Sequence, residues 1–124
     1  QDNEARSAAL AAELVRGDTG WVQGAIRATA DHLAYPGQDC RVQRLLDLDL
    51  TPLAEMPAVF ERNTALLRHE YAAVPEPAWR AGRRRVLERF AQAEQLFRTR
   101  LSAIYEAPAR DNLAAAIKEL GGAA

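Results

Sequence analysis

The chain has 124 residues, 48% of them hydrophobic and 27% charged, with a net charge of −1 and a pI near 6.2. Those values fit one globular domain with a modest core, and exclude a disordered chain or a strongly basic nucleic-acid binder. A single cysteine, Cys40, rules out an internal disulfide framework and fits a reducing, cytoplasmic setting. No apolar run approaches the roughly 18 residues of a membrane span, and no signal-peptide pattern is present.

The spacing predicts an all-α chain of about six helices in a single domain over residues 1–124. Asp2 or Asn3 can cap the first helix, with Glu4 in its first turn, where the helix dipole favours an acid. Ala8, Ala9, Leu10, Ala12 and Leu14 supply its apolar positions, and Gly17 ends it. Asp18 or Thr19 begins the second. Val22, Ile26, Thr29 and Leu33 share one face, and Arg27 and Asp31 stand at i,i+4. Tyr35-Pro36-Gly37 stops that helix.

A shorter helix is expected from Asp39 to Leu48, with Leu45, Leu46 and Leu48 as burial candidates, broken at Thr51-Pro52. Pro57 suits a first helical turn. From there a helix should run to about Ala73 with Val59, Phe60, Leu66, Leu67 and Tyr71 inward. Pro75 and Pro77 make a corner. Trp79 to Ala91 follows, with Trp79, Val86, Leu87 and Phe90 inward. Leu96-Phe97 should pack in the next connection. The last helical region spans Leu101 to Leu120, kinked or divided by Pro108 and ended by Gly121-Gly122.

Several residues invite a chemical reading. Asp47 and Asp49 sit in a Leu-rich run, and a carboxylate held inside needs a cation, a metal or several donors. Metal coordination is one reading and helix-end capping with solvent exposure the other. His32, one turn after Thr29, could ligate a metal or hydrogen-bond a phosphate oxygen. Equally, it reads as a half-buried residue at a helix C-terminus. His69 reads as surface, and Cys40 as a passive thiol.

Arg80, Arg83, Arg84, Arg85 and Arg89 form a local basic run without the aromatic interleaving of single-strand binders. It reads as a solvated face with Arg83 turned inward toward Glu70, where a bidentate pair would fix the corner. Phosphate binding by Arg83 is the functional alternative. No Gly-rich phosphate loop, nucleophile elbow or paired-Cys spacing is present.

Taken in order, six short motifs combine: Asp2-Asn3-Glu4-x-Arg6-Ser7-Ala8, Ala28-Thr29-x-x-His32, Leu46-Asp47-x-Asp49-Leu50, Arg68-x-Glu70-Tyr71-x-x-Val74-Pro75, Gly82-Arg83-x-x-Val86-Leu87 and Ala109-Arg110-x-Asn112-Leu113. Together they resemble the predicted metal-dependent phosphohydrolases of the HD superfamily, across essentially the whole chain. That resemblance implies an HD-domain-like helical bundle holding a divalent metal that activates water for phosphoester hydrolysis. The implied substrate is a phosphorylated small molecule or nucleotide.

The family binds its metal through an early His, a His-Asp dyad and a later Asp. Asp47 would be that later Asp, with Asp49 the fallback. His32 would line the site as a catalytic group, and Arg68 and Arg83 would be structural or substrate-binding. No His-Asp dyad occurs in these residues, so the resemblance places it before Gln1 and makes the chain the C-terminal portion of a longer protein. With so few ligands the chain is not expected to hold a catalytic metal tightly. The competing expectation is a non-catalytic helical module that self-associates through an apolar face along Leu10, Leu14 and Val22.

Overall fold

A computed structural model describes residues 2–14 and 20–121 of the chain. The described residues form six α-helices and no strand: α1 (Asn3–Leu14), α2 (Gly20–Ala28), α3 (Cys40–Leu50), α4 (Pro57–Glu70), α5 (Glu76–Gln92) and α6 (Glu106–Leu120). Two 3-10 segments, Thr51–Ala54 and Arg100–Tyr105, precede α4 and α6. Gly17, Asp18, Thr19 and Gly122, expected as helix stops and starts, lie outside the described residues.

The prolines act as the sequence leads one to expect, but with shifted boundaries. Pro52 tightens the end of α3 into a 3-10 turn, so α3 itself runs on to Leu50. Pro77 stands in the first turn of α5, which begins at Glu76 rather than Trp79. A proline is tolerated there because a first-turn N–H has no acceptor within the helix. Pro108 lies in the first turn of α6, and the division expected from it falls between Tyr105 and Glu106. The second helix is shorter than its periodicity suggests. It ends at Ala28, and Thr29–Leu33 continue as turns. Arg27 and Asp31 therefore do not share one helix, and Asp31 pairs with Arg89 of α5 at 2.6 Å.

Two apolar clusters hold the bundle. The larger joins Leu50, Leu87, Leu96, Phe97, Ala109 and Leu113, bringing the end of α3, α5, the loop after α5 and α6 together. The smaller joins Ala25, Val42 and Leu46, with Trp21 and Tyr35 against them. Burying a Leu or Phe side chain is worth roughly 1.5–3 kcal/mol. Leu96 and Phe97, almost fully buried, thus make the irregular loop after α5 part of the core.

Several expected core residues face out instead: Leu48, Leu66, Tyr71 and Val86 are exposed. In α3 the buried positions are Val42, Leu46, Asp47 and Leu50. Leu48 sits about 200° around the helix from Leu46 and Leu50, so it cannot join them. Leu10 and Leu14 of α1 are also exposed, and Ala8 alone is buried in that helix.

Polar side chains tie the joints between elements. Arg110 donates to the carbonyls of Phe90 (3.3 Å), Ala91 (2.7 Å) and Ala93 (2.6 Å), satisfying the end of α5. Glu106 accepts from the amides of Leu96 and Phe97 and from Arg110 Nε. Asn112, buried in α6, donates to the carbonyls of Leu53 (2.9 Å) and Glu55 (2.7 Å).

Candidate functional site

Asp47 and Asp49 are two residues apart on α3 and so project to different faces. Asp47 points inward and is 1% exposed. Its Oδ1 accepts from the Arg98 amide at 2.7 Å, and its Oδ2 from the Thr99 amide at 2.8 Å and the Thr99 hydroxyl at 2.7 Å. Three donors satisfy the buried carboxylate, and both oxygens are engaged. The Asp47 side chain therefore anchors the loop before the second 3-10 segment to α3.

Asp49 points outward, with its side chain 51% exposed, and meets His32. Nε2 of His32 lies 2.5 Å from Asp49 Oδ2, and the imidazole is 15% exposed. With Asp49 ionised, the hydrogen between them sits on Nε2, which sets the tautomer and aim of the ring. The edge of the Phe90 ring approaches the imidazole, with centroids 6.5 Å apart.

Arg98 fixes the backbone beneath this pair. Its guanidinium donates to the carbonyls of His32 (2.7 Å) and Tyr35 (2.9 Å) and lies over the Tyr35 ring. Its own amide is the one bound by Asp47. Asp47 and His32 are thus linked through Arg98, one inside the bundle and the other at its surface. Close by, Arg89 binds Asp31 and holds its carboxyl below the usual carboxylate range.

Arg68 and Arg83 occupy a different place. Arg68 closes the α4–α5 corner: it donates to the carbonyls of Tyr71 (2.7 Å) and Val74 (3.1 Å) and to Glu76 (3.1 Å), with its guanidinium over the Trp79 ring. The corner bond expected between Arg83 and Glu70 is absent. Arg68 and Glu76 make it, because Glu76 opens α5 and faces the end of α4 directly.

Arg83 does turn inward, but among the described residues no carboxylate or carbonyl meets it. Its Nε is buried without a hydrogen-bond partner, and burial lowers the guanidinium pKa. Both arginines line a cavity of about 410 Å³ between α4, α5 and α6, walled by Phe60, Trp79, Leu87 and Leu120. None of His32, Asp47 and Asp49 lines it.

No group of three or more His, Cys, Asp or Glu side chains converges among the described residues. His32 and Asp49 present two donors, and Asp47 is occupied by protein donors. A structural or catalytic metal ordinarily takes at least three protein ligands. The residues present therefore do not make up a divalent-metal site by themselves. No family model, curated protein or solved structure matches the chain.

Arg98 and Glu106 are the site and joint residues that sequence reasoning passed over. Arg98 stands in irregular chain with no periodic signal. Asp47 had one: Val42, Leu46 and Leu50 repeat every four residues, and Asp47 lies on the flank of that stripe.

Proposed function

We propose that this chain is the helical portion of an HD-type metal-dependent phosphohydrolase, acting on a phosphorylated small molecule or nucleotide. The observation that carries the reading is the His32–Asp49 pair: a largely covered imidazole held by a half-exposed carboxylate at the bundle surface and braced from behind by Arg98. The ordered motifs support it further. Asp47, Arg68, Arg110 and Asn112 all belong to them, and each braces a joint of the bundle that presents the pair.

In this reading Asp49 rather than Asp47 faces the reacting groups, and Asp47 is the support behind it. His32 supplies a positioned imidazole for proton transfer at the phosphoester, and Asp49 holds its tautomer. A divalent metal would supply the activated water of the family's chemistry; His32 and Asp49 are too few to hold it, so the reading calls for ligands beyond these two.

The test is phosphodiesterase and phosphomonoesterase assays with Mn²⁺ on the natural gene product that contains this chain, using p-nitrophenyl substrates. Metal-dependent hydrolysis should fall about 100-fold or more in His32→Gln and in Asp49→Asn. Hydrolysis indifferent to both substitutions, or no hydrolysis with any divalent metal, would sink the reading.

A second reading has its own observation. Leu10 and Leu14, one turn apart on α1, are 53% and 71% exposed. Such a stripe suits self-association through α1, as expected of a helical interaction module.

A further inference from the structure

The α4–α5–α6 cavity contains a cation without a partner. Arg83 makes no hydrogen bond or ion pair among the described residues, and its Nε is shut off from water. Its neighbours are already committed. Arg68 is bound to Glu76 and two carbonyls, and Arg80 caps α6 through the carbonyls of Glu119 (2.8 Å) and Leu120 (3.1 Å). A half-buried guanidinium whose Nε is shut off from water without a partner costs free energy that an arriving anion would recover in part. We propose that this cavity binds a small amphipathic monocarboxylate, with its carboxylate on Arg83 and its apolar body against Phe60, Leu87 and Leu120.

Charge and shape select that ligand class. Three arginines line the cavity, and so do three acids, Glu61, Glu76 and Glu119. The lining therefore carries no net charge, and Arg83 is its one arginine without a hydrogen bond or ion pair among the described residues. That guanidinium can meet a single negative charge, whereas a phosphate dianion would add a second charge that Glu61 and Glu119 repel. Planar guanidinium and carboxylate groups fit each other through two parallel hydrogen bonds. The volume, about 410 Å³, is that of a small-molecule site, and its walls are largely apolar. The site stands apart from the His32–Asp49 pair and does not depend on the phosphohydrolase reading.

Octanoate is the probe, with octanol and inorganic phosphate as matched comparisons, followed by calorimetry and by amide chemical-shift changes on α4, α5 and α6. Octanoate should saturate, and neither comparison should compete with it. Arg83→Met should weaken octanoate about tenfold or more. Ala115→Trp, at an exposed lining position, should abolish binding by filling the cavity while leaving the helical content unchanged. Octanoate failing to saturate, phosphate binding more tightly than octanoate, or Arg83→Met binding octanoate as well as the parent would each overturn the assignment.

Discussion

Asp47 holds Thr99 twice, through its backbone amide at 2.8 Å and its hydroxyl at 2.7 Å. Its other oxygen takes the Arg98 amide, so one buried carboxylate fastens three donors of an irregular loop to α3. That loop carries Leu96 and Phe97 into the core and positions the Arg98 guanidinium behind His32. Asp47→Ala leaves the two half-buried amides without acceptors. It should cost about 3 kcal/mol, since hydrogen bonds to charged groups contribute about 1.5–3 kcal/mol each. Urea unfolding checks this. Asp49→Asn, at a half-exposed hydrogen bond to His32, should change stability by less than about 1 kcal/mol. The same two variants thus separate the inward carboxylate from the outward one.

Positions two apart on a helix diverge by about 200°, so Asp47 and Asp49 cannot both face the core. Deciding which depends on the stripe Val42, Leu46, Leu50, and on giving less weight to Leu48, whose exposure breaks the simple rule that leucine is buried. The helical class, the proline-set joints and the burial of Leu96 and Phe97 were legible in the residues. The partners of the arginines were not. Arg68 stands near the end of α4, and Arg80, Arg83 and Arg89 stand along α5 with the same chemistry; only tertiary geometry assigns Arg68 to Glu76, Arg80 to the end of α6, Arg89 to Asp31 and Arg83 to an open cavity. Long side chains reach across several possible acceptors, so spacing along one helix does not choose among them.

Asn112 joins α6 to the chain entering α4. Its amide donates to the carbonyls of Leu53, in the last part of the 3-10 turn, and Glu55, just after it. Asn112→Ala should destabilise the fold by about 2 kcal/mol, the cost of losing a buried donor that serves two carbonyls. Asn112→Asp should cost more, because a carboxylate oxygen would then face a carbonyl oxygen where a donor is required. Thermal unfolding of the two variants beside the parent decides the order. Equal effects would mean that packing, rather than donation, is what Asn112 supplies.

Asp39 caps α3, accepting from the Arg41 amide at 2.9 Å and from the Arg41 guanidinium. The Arg41 guanidinium, then its amide, hold the Asp39 carboxyl down to about 2, below its ordinary value of 3.8. A carboxyl with a lowered folded-state pKa contributes stability above its unfolded pKa and loses it as pH falls through the folded value. Asp39→Ala should therefore lower the melting temperature at pH 6. The gap from the parent should narrow between about pH 4 and pH 2 and vanish below that. A gap that stays constant across this range would show that the carboxylate's charge plays no part in the cap.

The exposed leucines of α1 bear on self-association. A helix that buries Ala8 alone gains little from the bundle, yet it presents Leu10 and Leu14 on one face to water. Covering that stripe with the same stripe of a second copy would remove both from solvent at once, in an arrangement that a two-fold axis satisfies. Two leucines a side are far short of a standard interface of about 800 Å² per partner, so the association should be weak and strongly concentration-dependent. Analytical ultracentrifugation should show the apparent mass rising with concentration, and Leu10→Lys with Leu14→Glu should hold the protein monomeric without changing its unfolding midpoint. Both side chains are exposed in the monomer, so a loss of stability in that double variant would mean that α1 packs differently from the arrangement described. A parent protein that stays monomeric at high concentration would remove the case for α1 as an interface and leave the exposed stripe as ordinary surface.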